Sequence, residues 1–185
     1  MRQISNEKIL SLLIATLLIS ACTSPTKVSA PGIVASCDQI RLLESVDKSV
    51  LMGCLDGSGE INVHQLKGPL LINVWGSWCE GCKQEMPYFV ELYQNPLFKN
   101  GQIQMLGINV EEKSKEDAIN YIQKSGMSWP NLEDASGISK SIFGPGVPVT
   151  WFIDENGKTA ETKIGGYTNK KQLFNQVEKV FGVKL

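Results

Sequence analysis

The chain is short of most residues that specialised chemistry calls for. Of its 185 residues one is histidine, His64, and two are arginine, Arg2 and Arg41. His64 falls in a predicted hairpin strand and reads as a surface residue. The formal net charge is −1, so there is no basic face to suit a nucleic-acid backbone. The N-terminal apolar run Ile9–Ser20 falls short of the ~20 residues that a membrane-spanning helix needs. Internal repeats are absent, and so is low-complexity sequence apart from residues 23–35.

What the sequence does contain is Cys79-Glu80-Gly81-Cys82. It follows the apolar run Leu70-Leu71-Ile72-Asn73-Val74-Trp75 through Gly76-Ser77-Trp78, and a helical segment comes after it. A continuous apolar run is what a central strand covered on both faces requires. Cys79 then falls in the first turn of a helix, where unpaired N–H groups and the helix dipole stabilise a thiolate. Two thiols at this spacing can close a disulfide with little backbone movement. The pattern is that of a thioredoxin-like redox site, and the chain reads first as a thiol-disulfide oxidoreductase.

The rest of the chain supplies a frame. Residues 36–48 carry Ile40, Leu42, Leu43 and Val46 in a weak helical pattern. Val50–Leu55 and Glu60–His64 flank the turn Asp56-Gly57-Ser58-Gly59, a hairpin. A helix is expected over Glu80–Gln94, kinked at Pro87, then a strand over Ile103–Val110. Ser114-Lys115-Glu116-Asp117 starts a helix to about Ser125 as a capping-box variant. Val149–Asp154 and Thr159–Ile164 flank an Asn-Gly turn. A last helix begins near Asn169, with Leu173, Phe174, Val177, Val180 and Phe181 at the 3.6-residue period. Together these predict an α/β fold, a mixed central sheet flanked by helices, with an N-terminal β-hairpin extension.

Ahead of this frame, Arg2 and Lys8 precede the apolar run, the layout of a secretion signal. The run ends at Ile19-Ser20-Ala21-Cys22, which resembles the bacterial lipobox. The resemblance implies lipidation at Cys22 and several acyl chains, enough for stable anchoring. A plain signal peptide with Cys22 incidental is the alternative. Residues 1–21 are thus expected to be a lipoprotein signal peptide, 22–35 a flexible tether, and 36–185 one compact domain. Without Met1–Ala21 the side-chain charge is about −2. The domain is expected on the extracytoplasmic face of the cell membrane, where disulfides persist.

Two segments resemble the TlpA/ResA-like branch of the thioredoxin superfamily. One runs from Leu66-Lys67-Gly68-Pro69 through Trp78-Cys79-Glu80-Gly81-Cys82 to Glu85-Met86-Pro87. The other is Phe143-Gly144-Pro145-Gly146-Val147-Pro148-Val149-Thr150-Trp151-Phe152-Ile153-Asp154. The resemblance covers roughly Val50 to the C-terminus and implies a thioredoxin-like fold with no cofactor beyond a redox-active Cys79–Cys82 disulfide. It implies Cys79 as the attacking thiol and Cys82 as the resolving one. Pro148 is expected cis, facing Cys79 where the backbone can pair with an extended substrate; a plain proline at a strand start is the other reading. Glu85 lies three residues after Cys82 on the same helical face, directed to the core. Cytosolic thioredoxins bury an Asp six residues before the first Cys. Asn73 stands there and cannot take a proton, so Glu85 becomes the candidate proton acceptor for Cys82, against a solvated helix residue. Glu80 beside Cys79 should raise its thiol pKa. Gly81 replaces a proline common in the family, and Val147 completes the site. Trp75, Trp78, Trp129 and Phe143 are candidates for an apolar surface around the disulfide, or for core.

Cys37 and Cys54 remain. A structural disulfide worth about 3 kcal/mol through loop entropy is the favoured reading. A second redox pair feeding Cys79/Cys82, or two free buried thiols, are the alternatives. No metal site is expected, since the cysteines lack zinc-ligand spacing, and Lys83 after Cys82 rules out a Cys-x-x-Cys-His haem attachment. The resemblance implies reduction of disulfides in exported proteins such as apocytochrome c, with electrons from a membrane thiol-disulfide donor. An oxidase inserting disulfides is the runner-up. A copper-delivering assembly protein would need wider cysteine spacing and a distant histidine. A peroxidase would need an arginine near Cys79.

Overall fold

The computed structural model describes residues 30–185. The expected signal peptide, Cys22 and the first part of the tether lie outside the described residues. β1 (Leu51–Cys54) and β2 (Glu60–Asn62) form an antiparallel hairpin. β3 (Leu70–Trp75) runs parallel to β4 (Gln104–Val110) and antiparallel to β6 (Val149–Ile153). β5 (Asn131–Asp134) joins β4 to β1, and β7 (Thr159–Ile164) lies at the edge beside β6. The sheet order is β2-β1-β5-β4-β3-β6-β7, mixed and extended by the N-terminal hairpin as the sequence predicts.

All six residues of β3 are buried because both faces are covered. Side chains alternate across a strand, so Leu71 and Trp75 enter one layer while Leu70, Ile72 and Val74 enter the other. The first layer is covered by α1 (Glu80–Tyr93), α2 (Pro96–Lys99), α3 (Lys115–Ser125) and α5 (Lys170–Phe181), through Met86, Phe89, Phe98, Ile122, Leu173 and Val177. Burying each such large side chain contributes about 1.5–3 kcal/mol. Ser114 accepts the Asp117 N–H and Asn169 the Gln172 N–H, so both predicted helix starts carry side-chain caps.

The second layer departs from expectation. It is covered by short α4 (Ser139–Phe143) and by coil, with no helix over 36–48. That segment spends its backbone groups on the chain at 65–67: Leu43 N–H donates to Gln65 O at 2.7 Å and Lys67 N–H to Arg41 O at 3.0 Å. A short uncapped helix is marginal, and strand-like pairing wins. His64 sits in a 3-10 turn (Val63–Gln65), half-buried, not on an exposed strand. β5 and α4 were not anticipated. Asn-Leu-Glu-Asp has poor strand propensity, and its polar side chains have other partners: Asn131 accepts from Trp75 Nε1, and Asp134 caps α4 through the Ile138 and Ser139 N–H groups. The expected flexible tether also ends early. Gly32 N–H donates to Gln123 O at 2.8 Å, Ile33 N–H to Met127 O at 2.7 Å, and Ala35 bridges Pro130. Backbone hydrogen bonding thus attaches the chain to the body before residue 36.

Candidate active site

The loop from β3 to α1 delivers the two cysteines. Cys79 is the N-cap of α1, with extended backbone, and its Sγ accepts the Cys82 N–H at 3.1 Å. Cys79 and Cys82 are disulfide-bonded, Cα atoms 5.3 Å apart. Cys79 retains 5% exposure and Cys82 none, so an incoming group meets Cys79 first. A thiolate there would sit on an unpaired helical N–H at the positive end of the helix dipole.

Beneath the pair lies Glu85, completely buried. Its Oε1 accepts from Asn73 Nδ2 at 3.2 Å and its Oε2 from the Tyr167 N–H at 2.9 Å. Burial pushes its pKa up to about 7, against the pull of those two hydrogen bonds and of Lys163. Lys163 Nζ is held by the Ile164 and Gly165 carbonyls, 2.8 Å from each, and so organises the loop that brings Tyr167 to Glu85. A buried carboxyl balanced near neutrality, one helical turn below a cysteine, can either take or give a proton.

The Val147–Pro148 peptide is cis. A Cβ on Gly81 would lie 3.3 Å from Pro148 Cδ, and one on Gly166 would lie 3.5 Å from Pro148 Cγ, from Gly81 O and from Glu85 Oε2. Gly81 therefore lets α1 approach the proline loop without pressing on Pro148, while the contacts a side chain would make at Gly166 are ordinary van der Waals ones. Pro148 O accepts the Gly165 N–H at 3.0 Å, while no hydrogen bond to the Val147 backbone occurs among the described residues. An apolar cavity of about 300 Å³ borders the loop, lined by Gly144 to Val149, Ile164 and Gly165.

Trp78 is 49% exposed, its Nε1 donating to Val110 O at 3.2 Å. Of the four aromatic residues read as either apolar surface or core, the other three, Trp75, Trp129 and Phe143, are core. Glu80 is 74% exposed and lies 3.8 Å from Lys83 Nζ, so water and that cation screen its field. Sequence reasoning missed Glu112. Its carboxylate accepts the Ser77 N–H, the Ser77 hydroxyl at 2.7 Å and Asn109 Nδ2 at 2.8 Å, clamping the loop that presents Cys79. The available signal was position, since Glu112 follows β4 and parallel strands gather their sites at their carboxyl ends. Tyr167 and Lys163 carried no local signal.

Cys37 and Cys54 are also bonded to each other, but in the opposite layer of the sheet. Arg41 binds the Gln104 side chain and the Pro69 and Gln102 carbonyls, at the starts of β3 and β4. The length of β3, about 20 Å at the usual strand rise, separates it from Cys79.

Residues 48–162 match the AhpC/TSA family. The thiol-disulfide oxidoreductase ResA of Bacillus thuringiensis (strain Al Hakam) is 32% identical over 124 residues, 65% of this chain and 69% of that protein. The crystal structure of StoA from Bacillus subtilis superposes with a TM-score of 0.56 at 25% identity, over 69% of this chain and 95% of that one. A DsbE-like thiol:disulfide interchange protein from Chlorobium tepidum superposes with a TM-score of 0.61 at 22% identity, over 75% and 100%, a likeness of fold. With its cysteine pair set at a helix start beside a cis-proline loop, the chain belongs to the AhpC/TSA family, as a ResA-like thiol-disulfide oxidoreductase of thioredoxin-like fold.

Proposed function

We propose that this oxidoreductase reduces disulfides in exported proteins, with Cys79 as nucleophile. The observation that carries the reading is the Cys82 N–H on Cys79 Sγ at the start of α1, above the buried Glu85. In the reduced protein the Cys79 thiolate attacks one sulfur of the substrate disulfide and expels the other as a thiolate. Cys82 then passes its proton to Glu85 and attacks Cys79 Sγ. The Cys79–Cys82 bond forms, the second substrate thiolate leaves, and two electrons have passed to the substrate. Glu85 returns its proton as the thiols are made. Reduction by a membrane dithiol donor restores the starting state.

The unengaged Val147 backbone beside cis Pro148 suits pairing with an extended substrate segment, and exposed Trp78 offers an apolar face next to Cys79. Apocytochrome c fits as a substrate, since its Cys-x-x-Cys-His must be reduced before haem attachment. We assign residues 1–21 as signal peptide and Cys22 as the lipidated residue, which places the domain on the extracytoplasmic face of the membrane. Cys37–Cys54 acts as a structural link.

The test is the reduction potential of Cys79/Cys82 in soluble protein starting after Cys22. A value near or below about −270 mV supports the reductase. A value near about −120 mV would make the enzyme a disulfide-inserting oxidase.

A further inference from the structure

The loop after β7, which carries Tyr167 to Glu85, is folded around a single ammonium group. Lys163 Nζ donates to Ile164 O and Gly165 O at 2.8 Å each and to Gly166 O at 3.4 Å. Gly165, at φ +80°, turns the chain so that three consecutive carbonyls converge on one nitrogen. The same loop is bonded to the site at two points. Gly165 N–H donates to Pro148 O at 3.0 Å, and Tyr167 N–H donates to Glu85 Oε2 at 2.9 Å. Lys163 Nζ also lies 5.5 Å from the centre of the Tyr167 ring.

Sheet register puts Lys163 in this place. It is the cross-strand partner of Thr150, which is in turn the partner of Asn73. Directly opposed residues share a face, so Lys163 belongs to the face on which Asn73 Nδ2 reaches Glu85. It is half-buried there. Three carbonyls take up the three N–H donors of the ammonium, yet they carry no net charge. Among the described residues Lys163 enters no ion pair, and the five pairs present use other lysines. Glu85 is its complement, a fully buried acid whose two hydrogen-bond donors, Asn73 and Tyr167, are both neutral. The field of Lys163 reaches it and favours the ionised form.

We propose that Lys163 is a positioning residue for Glu85: its ammonium holds the Tyr167 loop in place and supplies the positive charge that keeps the carboxylate ready for the Cys82 proton. That proton moves from Cys82 Sγ to Glu85, and the sulfur electron pair goes into the Cys79–Cys82 bond as the substrate thiolate leaves. The proposal rests on reading Glu85 as the proton partner of Cys82. The other titratable groups facing Glu85 are Tyr167, Tyr121 on α3 and Cys82 on α1. Burial pushes both tyrosines up, so neither ionises near neutrality. Of the acids nearby, Glu80 faces Tyr121 from the exposed start of α1, and Glu161 on β7 binds Gln176 and Lys179.

The experiment is a carbon-13 NMR titration of the Glu85 carboxyl in oxidised protein, where Cys79 and Cys82 are bonded and do not titrate. Lys163→Met keeps the aliphatic stem and removes the charge. The Glu85 midpoint should rise by about one pH unit, the low end for losing a nearby opposite charge. Lys163→Arg, which keeps the charge but presents it in a planar fork, should hold the wild-type midpoint. Disulfide-reduction turnover of Lys163→Met at pH 7 should be about five-fold lower, following the loss of ionised Glu85, and should recover as pH is raised. A loop that merely loosened would admit water to Glu85, and the midpoint would fall instead. A midpoint that falls or stays put in Lys163→Met overturns the proposal. The wild-type protein offers a reading that needs no variant. Its Lys163 Cε signal should shift with the Glu85 midpoint, and a signal flat through that titration counts equally against the proposal. Glu85→Gln assayed for disulfide reduction reads the parent idea separately. Full turnover there removes the role of Glu85, whereas a slow Glu85→Gln enzyme with an unmoved Lys163→Met midpoint removes only that of Lys163.

Discussion

The protein holds two disulfides whose surroundings could hardly differ more. Cys79 and Cys82 are three residues apart at a helix start, with a backbone N–H on one sulfur and a buried carboxyl below. Cys37 and Cys54 are 17 residues apart and tie coil to a hairpin strand inside an apolar cluster. Each cysteine of both pairs is at most 5% exposed, so burial alone does not set them apart. The difference lies in what can receive charge and protons. The first pair lies at the positive end of a helix dipole with a backbone N–H on one sulfur and a buried carboxyl one helical turn below. The second spans a loop whose closure restricts the unfolded chain. The sheet between them argues against electron relay from one to the other.

Breaking each pair in turn should give opposite phenotypes, and this is the largest effect expected. Cys79→Ser should drop disulfide-reduction turnover to background while thermal stability measured on the reduced proteins barely moves. Replacing Cys37 and Cys54 together by Ser should keep turnover and cost about 3 kcal/mol, a Tm lower by roughly 10 °C for a domain of this size. Turnover that vanished with Cys37 and Cys54 would show that the second pair carries electrons.

Glu85 sharpens the contrast next. Glu85→Gln removes the carboxyl proposed above as the proton acceptor, and on that proposal turnover at pH 7 should fall by roughly 100-fold, within the range for a lost general base. The wild-type rate should climb as pH rises through about 7, where Glu85 ionises, and the variant should lose that limb. Stability provides the sign check. The folded pKa of Glu85 is raised from 4.5 to about 7, so its favourable contribution is complete below the unfolded value and is lost as pH rises through the folded one. Between pH 4.5 and 8 the wild type should lose about 3 kcal/mol relative to Glu85→Gln, as denaturant melts of oxidised protein would read. Parallel stability curves would mean that Glu85 titrates normally.

The same contrast explains what could be read from the sequence. The unbroken apolar run of β3, the Ser114 and Asn169 caps, the Asn156-Gly157 turn and the cysteine pair at the start of α1 are all local signals, and each has its expected place. So does Glu85, because i to i+3 spacing on a helix fixes its face. Legibility ended where partners lie far apart in sequence. The 36–48 coil is set by residues 65–67, and β5 by the strands on either side of it. The Glu112 clamp depends on β4 ending beside β3. The Tyr167 N–H reaches Glu85 from 82 residues away, and no spacing rule anticipates that. Glu80 is a different case: its position was legible, but its exposure and its pairing with Lys83 were not.

Glu80 therefore gives the smallest and most discriminating prediction. Its carboxylate is adjacent to Cys79 in sequence, and adjacency alone suggests a strong pull on the thiol and on the potential. The side chain points to water instead and lies near Lys83. An exposed charge in such a pair is worth a few tenths of a kcal/mol, which for a two-electron couple amounts to under about 10 mV. Glu80→Gln should thus leave the Cys79/Cys82 potential within that margin and turnover within about two-fold. A shift of 30 mV or more would correspond to about 1.4 kcal/mol, too large for a screened surface charge. Glu80 would then join the groups that separate the two disulfides, and the reactivity of Cys79 would rest on more than its helix N–H and the buried acid beneath it.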